Sequence, residues 1–451
     1  MQPTLRGCLA VAAVLAAAAF VFGGSAGERR ESVLAVSDVS LEQASSKDVR
    51  LPARVSATWC GTPAQLDVRP NVVSGNPVHW IYVLPSDAPD RFATFASQMQ
   101  TDAETIDAWW RREDPTRVPR NDLAQLSCGP QLDLTVVRLQ QTSAQLAPVE
   151  GRFVTLFNAL PAAGFRSPFT KYLVYFDGPV AEADLCGQGA SDSTGFGLAV
   201  MYVQACSGAP VSVVAAHELL HTLGAVPRSA PNRCPDASGG HTCDSATDLM
   251  HPFLDGSPLE AKLLDPGRDD YYGHSGTFTD SQDSPWLVQL DRQQPFTATI
   301  SGSGGVTADV PGLDCARSCT TTWNASTRLT LRAVPRPGSR FVRWGGVCAG
   351  GSTCVATVGP GVAVSALFAP AVYRLSVAVS GRGGVRSSRA GLTCRPRCSA
   401  VFPSFVSVAL TATPAKGWRF RSWRGACHGT KPSCTVPMTA MTSVRAVFAR
   451  A

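Results

Sequence analysis

Beyond residue 26 the chain lacks any run approaching the ~18 uninterrupted apolar residues of a membrane helix, so no later segment reads as a span. Acids nearly vanish in the last third: from Phe296 onward there are nineteen Lys and Arg against two acids, Asp309 and Asp314. The whole chain holds 40 basic and 34 acidic residues, so its net +6 hides an acidic front of about −11 and a basic tail of about +17. Two regions of opposite charge are expected to do different jobs. The tail favours polyanions, yet no nucleic-acid recognition motif accompanies its charge. Histidine is scarce, seven in 451 residues, so a correctly spaced pair of them carries weight.

At the start, Arg6 precedes an apolar run from Leu9 to Phe22 and the small residues Gly24-Ser25-Ala26, which predicts a secretory signal peptide over 1–26. Cys8 lies before that apolar core, a poor place for a lipid anchor. Without it, fourteen of the fifteen cysteines remain, an even number that suits disulfides in an oxidising compartment. The expected location is secreted or cell-surface. About 425 residues exceed one core and predict two or three domains. Residues 27–50 are polar with little periodicity and read as a linker.

The tail repeats itself. ISGSGGVTADVPGLDCARSC aligns with VSGRGGVRSSRAGLTCRPRC, and Val306, Cys315, Cys319, Phe341, Trp344 and Cys348 match Val385, Cys394, Cys398, Phe420, Trp423 and Cys427. Alternating stretches such as Leu329–Val334 and Val406–Ala412, broken by Pro and Gly, read as strands and turns. This predicts two small β-rich modules, 296–370 and 371–451, clamped by Cys315–Cys319, Cys348–Cys354 and their equivalents. The succession GGV, paired cysteines, FxxW, GxC and a closing ALF or AVF resembles the divergent internalin-type B-repeat of bacterial surface proteins, which implies a β-grasp-like accessory module. Arginines flank Trp344 and Trp423 and lie near Trp418, which permits either a cation–π surface for an anionic cell-wall polymer or glycan, or buried tryptophans beneath a soluble basic surface.

Residues 51–295 form the front domain. His79–Leu84, Leu132–Leu139, Lys171–Phe176 and Leu198–Val203 read as strands, and Arg91–Arg112 as a helix ending near Asp114-Pro115. A sheet with long helices follows from that pattern. After it comes VVAAHELLHTLGAVP. Residues four apart share a helix face, so His217 and His221 can direct two imidazoles at one zinc ion, and Glu218 can serve as general base. Gly224 offers a left-handed stop that turns the chain back.

HELLHTLG resembles the metzincin zinc proteases, whose pattern HExxHxxG is completed by a histidine or aspartate three residues after the glycine. Pro227 stands there and cannot bind metal. Asp248-Leu-Met-His-Pro252 resembles the metzincin Met-turn, which implies that Met250 lies beneath the metal. Between them, His241, Asp236, Asp244 and Asp248 are possible third ligands. The order HExxHxLGAVP, SAPN, GHTCDSATDLM resembles a group of secreted actinobacterial metzincin-like proteins with a similar histidine, and that resemblance favours His241, in a loop that a Cys234–Cys243 bridge would close. His251 could line the cleft but reads rather as a packing residue, and Asp265–Tyr272, which offers carboxylates for calcium and tyrosines for an oxyanion, reads rather as a polar turn with partly packed aromatics. Cys60 permits a latency switch onto zinc or a Cys60–Cys128 disulfide, and the even cysteine count favours the latter.

The expected protein is thus an α+β, metzincin-like zinc endopeptidase domain followed by two β-rich repeats. Its substrate would be a protein or peptide, and the protein itself is expected to have no transmembrane segment and no specific nucleic-acid partner. The rival expectation is a surface adhesion protein whose metal is structural, a role that has no use for Glu218.

Overall fold

In a computed structural model of the protein the described residues are 37–41, 58–206, 208–235, 240–348, 353–389 and 391–451. They belong to one unit, Leu34–Ala451. The signal peptide expected over 1–26 lies outside them. The chain is β-rich, with a layered front domain and two small modules behind it.

The front sheet has seven strands: β1 Ser37–Leu41, β2 Val78–Leu84, β3 Leu134–Arg138, β4 Lys171–Phe176, β5 Leu185–Ser191, β6 Gly197–Tyr202 and β7 Phe253–Leu254. Their order is β7-β1-β5-β6-β4-β2-β3. Strands β3, β2, β4 and β6 run parallel, whereas β5 is antiparallel to β6. Every residue of β2, β4 and β6 is buried, as expected of near-continuous apolar strands covered on both faces.

Helix α1, Phe92–Glu113, buries Phe92, Ala96, Met99, Ala103, Ile106 and Trp110, a spacing of three and four that makes one apolar stripe. It ends at extended Asp114, the residue before Pro115, where the proline ring disfavours helical backbone. Helix α2, Arg152–Ala162, buries Phe153, Leu156 and Leu160. Helix α3, Val211–Leu223, is buried at every position from Ser212 onward and packs on β5, β6 and α1.

Two boundary expectations need correction. The linker predicted over 27–50 contains β1, whose Ser37, Asp38 and Val39 pair antiparallel with Gly189, Gln188 and Gly187, while Ser40 and Leu41 pair parallel with Phe253 and Leu254. A polar, aperiodic segment joins the sheet because main-chain pairing makes few demands on side chains. The first module begins with the strand Gln293–Ser301, slightly before the boundary expected at 296.

Each module holds two four-stranded sheets closing on a single core, which contains Trp323, Leu331, Trp344 and Phe368 in the first and Phe402, Leu410, Trp423 and Phe448 in the second. The β-grasp expectation implies a helix across a sheet, and none occurs among the described residues of either module. Strands such as Ser407–Pro414 alternate exposed and buried, so each sheet has one apolar face and the two faces cover each other. Trp344 and Trp423 are core residues, packed 5.2 Å from Phe341 and Phe420, which removes them from a cation–π surface.

Candidate metal centre

Helix α3 turns one face toward the loop that follows it. His217 and His221 lie one turn apart, with their Nε2 atoms 3.1 Å from each other. His217 donates its Nδ1–H to the carbonyl of Leu249 at 2.6 Å, which fixes the ring and leaves Nε2 facing His221. Metal-binding histidines are commonly oriented in this way.

The third imidazole belongs to His241. One ligand nitrogen from each of His217, His221 and His241 lies within 4.8 Å of the others, and all three residues are buried. Ring centroids are 4.8, 5.2 and 4.9 Å apart for the three pairs. Burial pushes His217 and His221 well below the ordinary histidine range, and the neighbouring imidazoles add to the effect. The rings are therefore neutral, the form whose lone pair binds a metal.

Local chemistry explains how His241 reaches this point. Gly224 ends α3 with φ 89°, and Ala225 N–H returns to the Leu220 carbonyl at 3.0 Å, so the chain doubles back. The loop then forms a short ladder, with Arg233 paired to Thr242 and Cys234 N–H bonded to the His241 carbonyl at 2.8 Å. The Cys234–Cys243 disulfide closes that ladder, a constraint worth on the order of 2–3 kcal/mol for so short a loop. Gly240, at φ 110°, adopts backbone that an L side chain resists. Gly239 and Asp236 lie outside the described residues.

The alternative carboxylates sit elsewhere. Asp244 is exposed and outside the cluster. Asp248, considered above as a ligand, instead braces the turn: its carboxylate accepts from Met250 N–H at 2.8 Å, Thr242 Oγ1 at 2.9 Å and Tyr271 OH at 2.6 Å. Burial pushes Asp248 up to about 7. That bracing fixes Leu249, whose carbonyl holds His217, and keeps Met250 fully buried. Pro227 forms a turn with Ala230 and takes no part in the cluster, and the His251 ring bonds the backbone of Phe253 while its backbone N–H bonds Asp248, outside the cluster.

Glu218 is fully buried beside β5. A Cβ on Gly187 would come within 2.6 Å of Glu218 Oε1, and one on Gly189 within 2.8 Å of Oε2. The two glycines, spaced to share a strand face, clear the room that this carboxylate occupies. Sequence reasoning missed them, although a G-x-G pair inside a strand signals close approach. The same two residues pair with Val39 and Ser37 of β1, and some α3 and β1 residues come within 8 Å between Cα atoms.

Other polar clusters are tied into the fold by hydrogen bonds, although Asp122 Oδ1 is buried without one. His79 engages Asp122 through Nδ1 at 2.7 Å and Thr135 through Nε2 at 3.0 Å. Asp265 accepts backbone N–H groups from Asp270, Tyr271 and Tyr272, and both tyrosines are fully buried, where the polar-turn expectation has them partly packed. Cys60 is bonded to Cys128, so it is no switch. A seventh bridge, Cys186–Cys206, ties β5 to the segment after β6, and all fourteen cysteines after residue 26 are paired.

Among solved structures, the chain is similar to OgpA of Akkermansia muciniphila at 12% identity, covering 84% of this chain and 98% of that one with a TM-score of 0.28. It is similar to the Bacillus anthracis TIE protein at 6% identity, covering 36% of this chain and 34% of that one, TM-score 0.23, so it spans about a third of that relative's length. A Streptococcus pyogenes major pilin, T-13, shares 9% identity over 35% of this chain and 96% of its own, TM-score 0.17. No curated relative matches the chain. Residues 404–451 match the divergent InlB B-repeat domain family, so the second module carries a repeat of that type, and together with the disulfides this suits an extracellular or cell-surface protein.

Proposed function

We propose that the protein is an exported zinc-dependent endopeptidase with a metzincin-like front domain, held near its substrate by the basic repeats. The observation that carries this reading is the convergence of three buried imidazoles beside Glu218. Three nitrogen donors fit zinc, and no fourth His, Cys, Asp or Glu joins that group among the described residues. Structural zinc sites close with four protein ligands, whereas catalytic ones keep a position open.

Bound there, zinc would supply Lewis acidity that makes water nucleophilic near neutral pH and polarises a peptide carbonyl. His217, His221 and His241 would hold it, with Leu249 orienting the first ring. Glu218 accepts the proton of the attacking water and passes it to the departing amine, a role that its position next to His217 allows. Gly187 and Gly189 keep that carboxylate unobstructed. An extended substrate would bind by main-chain pairing along β5, the place that Ser37–Leu41 takes in this structure.

Metal analysis of the full-length protein, with peptide-library cleavage in the presence and absence of chelator, tests the reading. One equivalent of zinc with chelator-sensitive cleavage is expected. Zinc without any cleavage, also after removal of residues 1–57, would favour an adhesion protein with a structural metal.

A further inference from the structure

The second module holds a feature that the first lacks. Its strands β8 Val372–Ser380, β9 Arg397–Pro403, β10 Trp418–Gly425 and β11 Thr442–Arg450 form one sheet in the order β9-β8-β11-β10. Arg397 pairs with Ala378, Ala378 with Arg445, and Arg445 with Arg424, so one row across all four strands carries three arginines on its outer face. All three are exposed, while Val377 and Val444 on the other face are buried. Arg445 and Arg424 lie directly opposite each other, an arrangement of like charges that weakens a sheet. No acid occurs in residues 371–451 to relieve it.

Beside this row lies another of small hydroxyls. Ser376 pairs with both Ser399 and Ser443, and Arg374 Nη1 donates to Ser399 Oγ at 2.9 Å. The two rows line a shallow depression of about 520 Å³. In the first module the matching residues are Ser318, Gly345 and Ser365 for the arginines, and Thr297 and Thr320, whose hydroxyls bond each other at 3.0 Å, for Ser376 and Ser399. The first module satisfies itself, and the second presents unbalanced cations.

We infer that this face of the second module is a binding site for a linear acidic glycan, with Arg397, Arg424 and Arg445 gripping carboxylate or sulfate groups and the serine row meeting sugar hydroxyls. This rests on the reading of the repeats as an attachment module and is independent of hydrolysis. Strands lie about 4.8 Å apart, so the cations stand roughly 5 and 10 Å apart along the row, which suits a chain of anionic groups better than a single ion. Guanidinium forks bind carboxylate and sulfate-type oxyanions in pairs of hydrogen bonds. The residues lining the row are serine, valine, alanine, glycine, cysteine and arginine, with no aromatic ring to stack a nucleobase.

The test measures binding of the full-length protein to polygalacturonate, dextran sulfate, uncharged dextran and oligo-dT at several salt concentrations. The triple variant R397S/R424G/R445S installs the residues of the first module, a combination already compatible with this sheet. A control variant, R382S/R386S/R389S, removes equal charge from exposed positions outside this sheet. The row variant should lose about tenfold or more in affinity for a charged glycan, and the control far less, with binding fading as salt rises. Equal losses in the two variants would reduce the effect to net charge and overturn the site. Tighter binding to oligo-dT than to either polyanion would overturn the glycan assignment. No binding to any charged polymer by the unaltered protein would remove the attachment reading as well.

Discussion

The front domain keeps ionisable groups inside, and the repeats keep theirs outside. His217, Glu218, His241, Asp102, Lys171, Arg152 and Asp248 are all buried in the front domain, whereas Asn324 is the buried polar side chain among the described residues of the repeats. Burying such groups costs several kcal/mol each unless they are paired, so a fold that does so repeatedly holds them for chemistry or for fixing a geometry. An exposed arginine costs little and reaches a partner through solvent. On the proposed reading, one region would react and the other would hold.

The largest effect on that contrast should come from Glu218. E218Q removes proton transfer while leaving three imidazoles, so hydrolysis should fall about 10²–10⁴-fold with zinc content unchanged. Undiminished turnover would break the comparison at its centre. H241A should lower zinc affinity by about 100-fold or more, whereas H251A, outside the cluster, should leave it unchanged. Competition with a chromogenic chelator reads both.

Next in size is the effect of the N-terminal segment. Because β1 pairs with the strand that lies against Glu218, protein beginning at residue 58 should cleave peptides severalfold faster than protein beginning at residue 27. Equal rates would show that β1 and substrate do not compete.

Buried charge also predicts a pH dependence confined to the front domain. Burial raises Asp102 from 3.8 to about 6, against the hydrogen bonds from Tyr175 and Gln98. A carboxyl whose folded value is raised keeps its proton while the unfolded chain releases one, so stability is fullest below pH 4 and declines until about pH 6. Two pH units of difference correspond to about 3 kcal/mol at most. D102N should flatten that decline in chemical denaturation followed at several pH values. An unchanged slope would mean that another group sets it.

How far all this was legible depends on what each residue needs. The α3 motif and Gly224 are read from local spacing, and the tandem modules from self-alignment, because both signals lie within short stretches. Lys171–Phe176 was readable with its limits, since a strand buried on both faces is apolar along nearly its whole length. Strand β5, LCGQGAS, was not, because its glycines answer to Glu218 across the sheet and give no periodicity of their own. Strand β1 is defined by its partners and carries no pattern. Among four possible ligands His241 is favoured in the sequence only by resemblance, because the ladder that pairs Arg233 with Thr242 is made by the fold, and Asp248 stays on that list because a bracing carboxylate has the same composition as a coordinating one.

The smallest effect concerns the seam between the regions. A cut at 296 falls inside the strand Gln293–Ser301 and discards Asn324, which accepts from Gln289 N–H at 3.0 Å and Gln293 Nε2 at 2.6 Å and donates to the Leu287 carbonyl at 2.9 Å. Ser74 Oγ and Gly75 N–H also bond the first module, at Gly312 and Pro311. The first module is therefore part of the front domain's support, and N324A should cost about 1–3 kcal/mol by leaving buried partners without their hydrogen bonds. The second module touches the first through Ser404 and Gly338, away from that seam. Deleting 371–451 should accordingly leave both thermal stability of the front domain and turnover of a short soluble peptide nearly unchanged, while abolishing retention on acidic glycan. If that deletion slowed peptide cleavage as much as N324A destabilises the fold, the division between a reacting region and a holding one would have to be redrawn, with the second module counted among the parts that keep Glu218 and the three histidines in position.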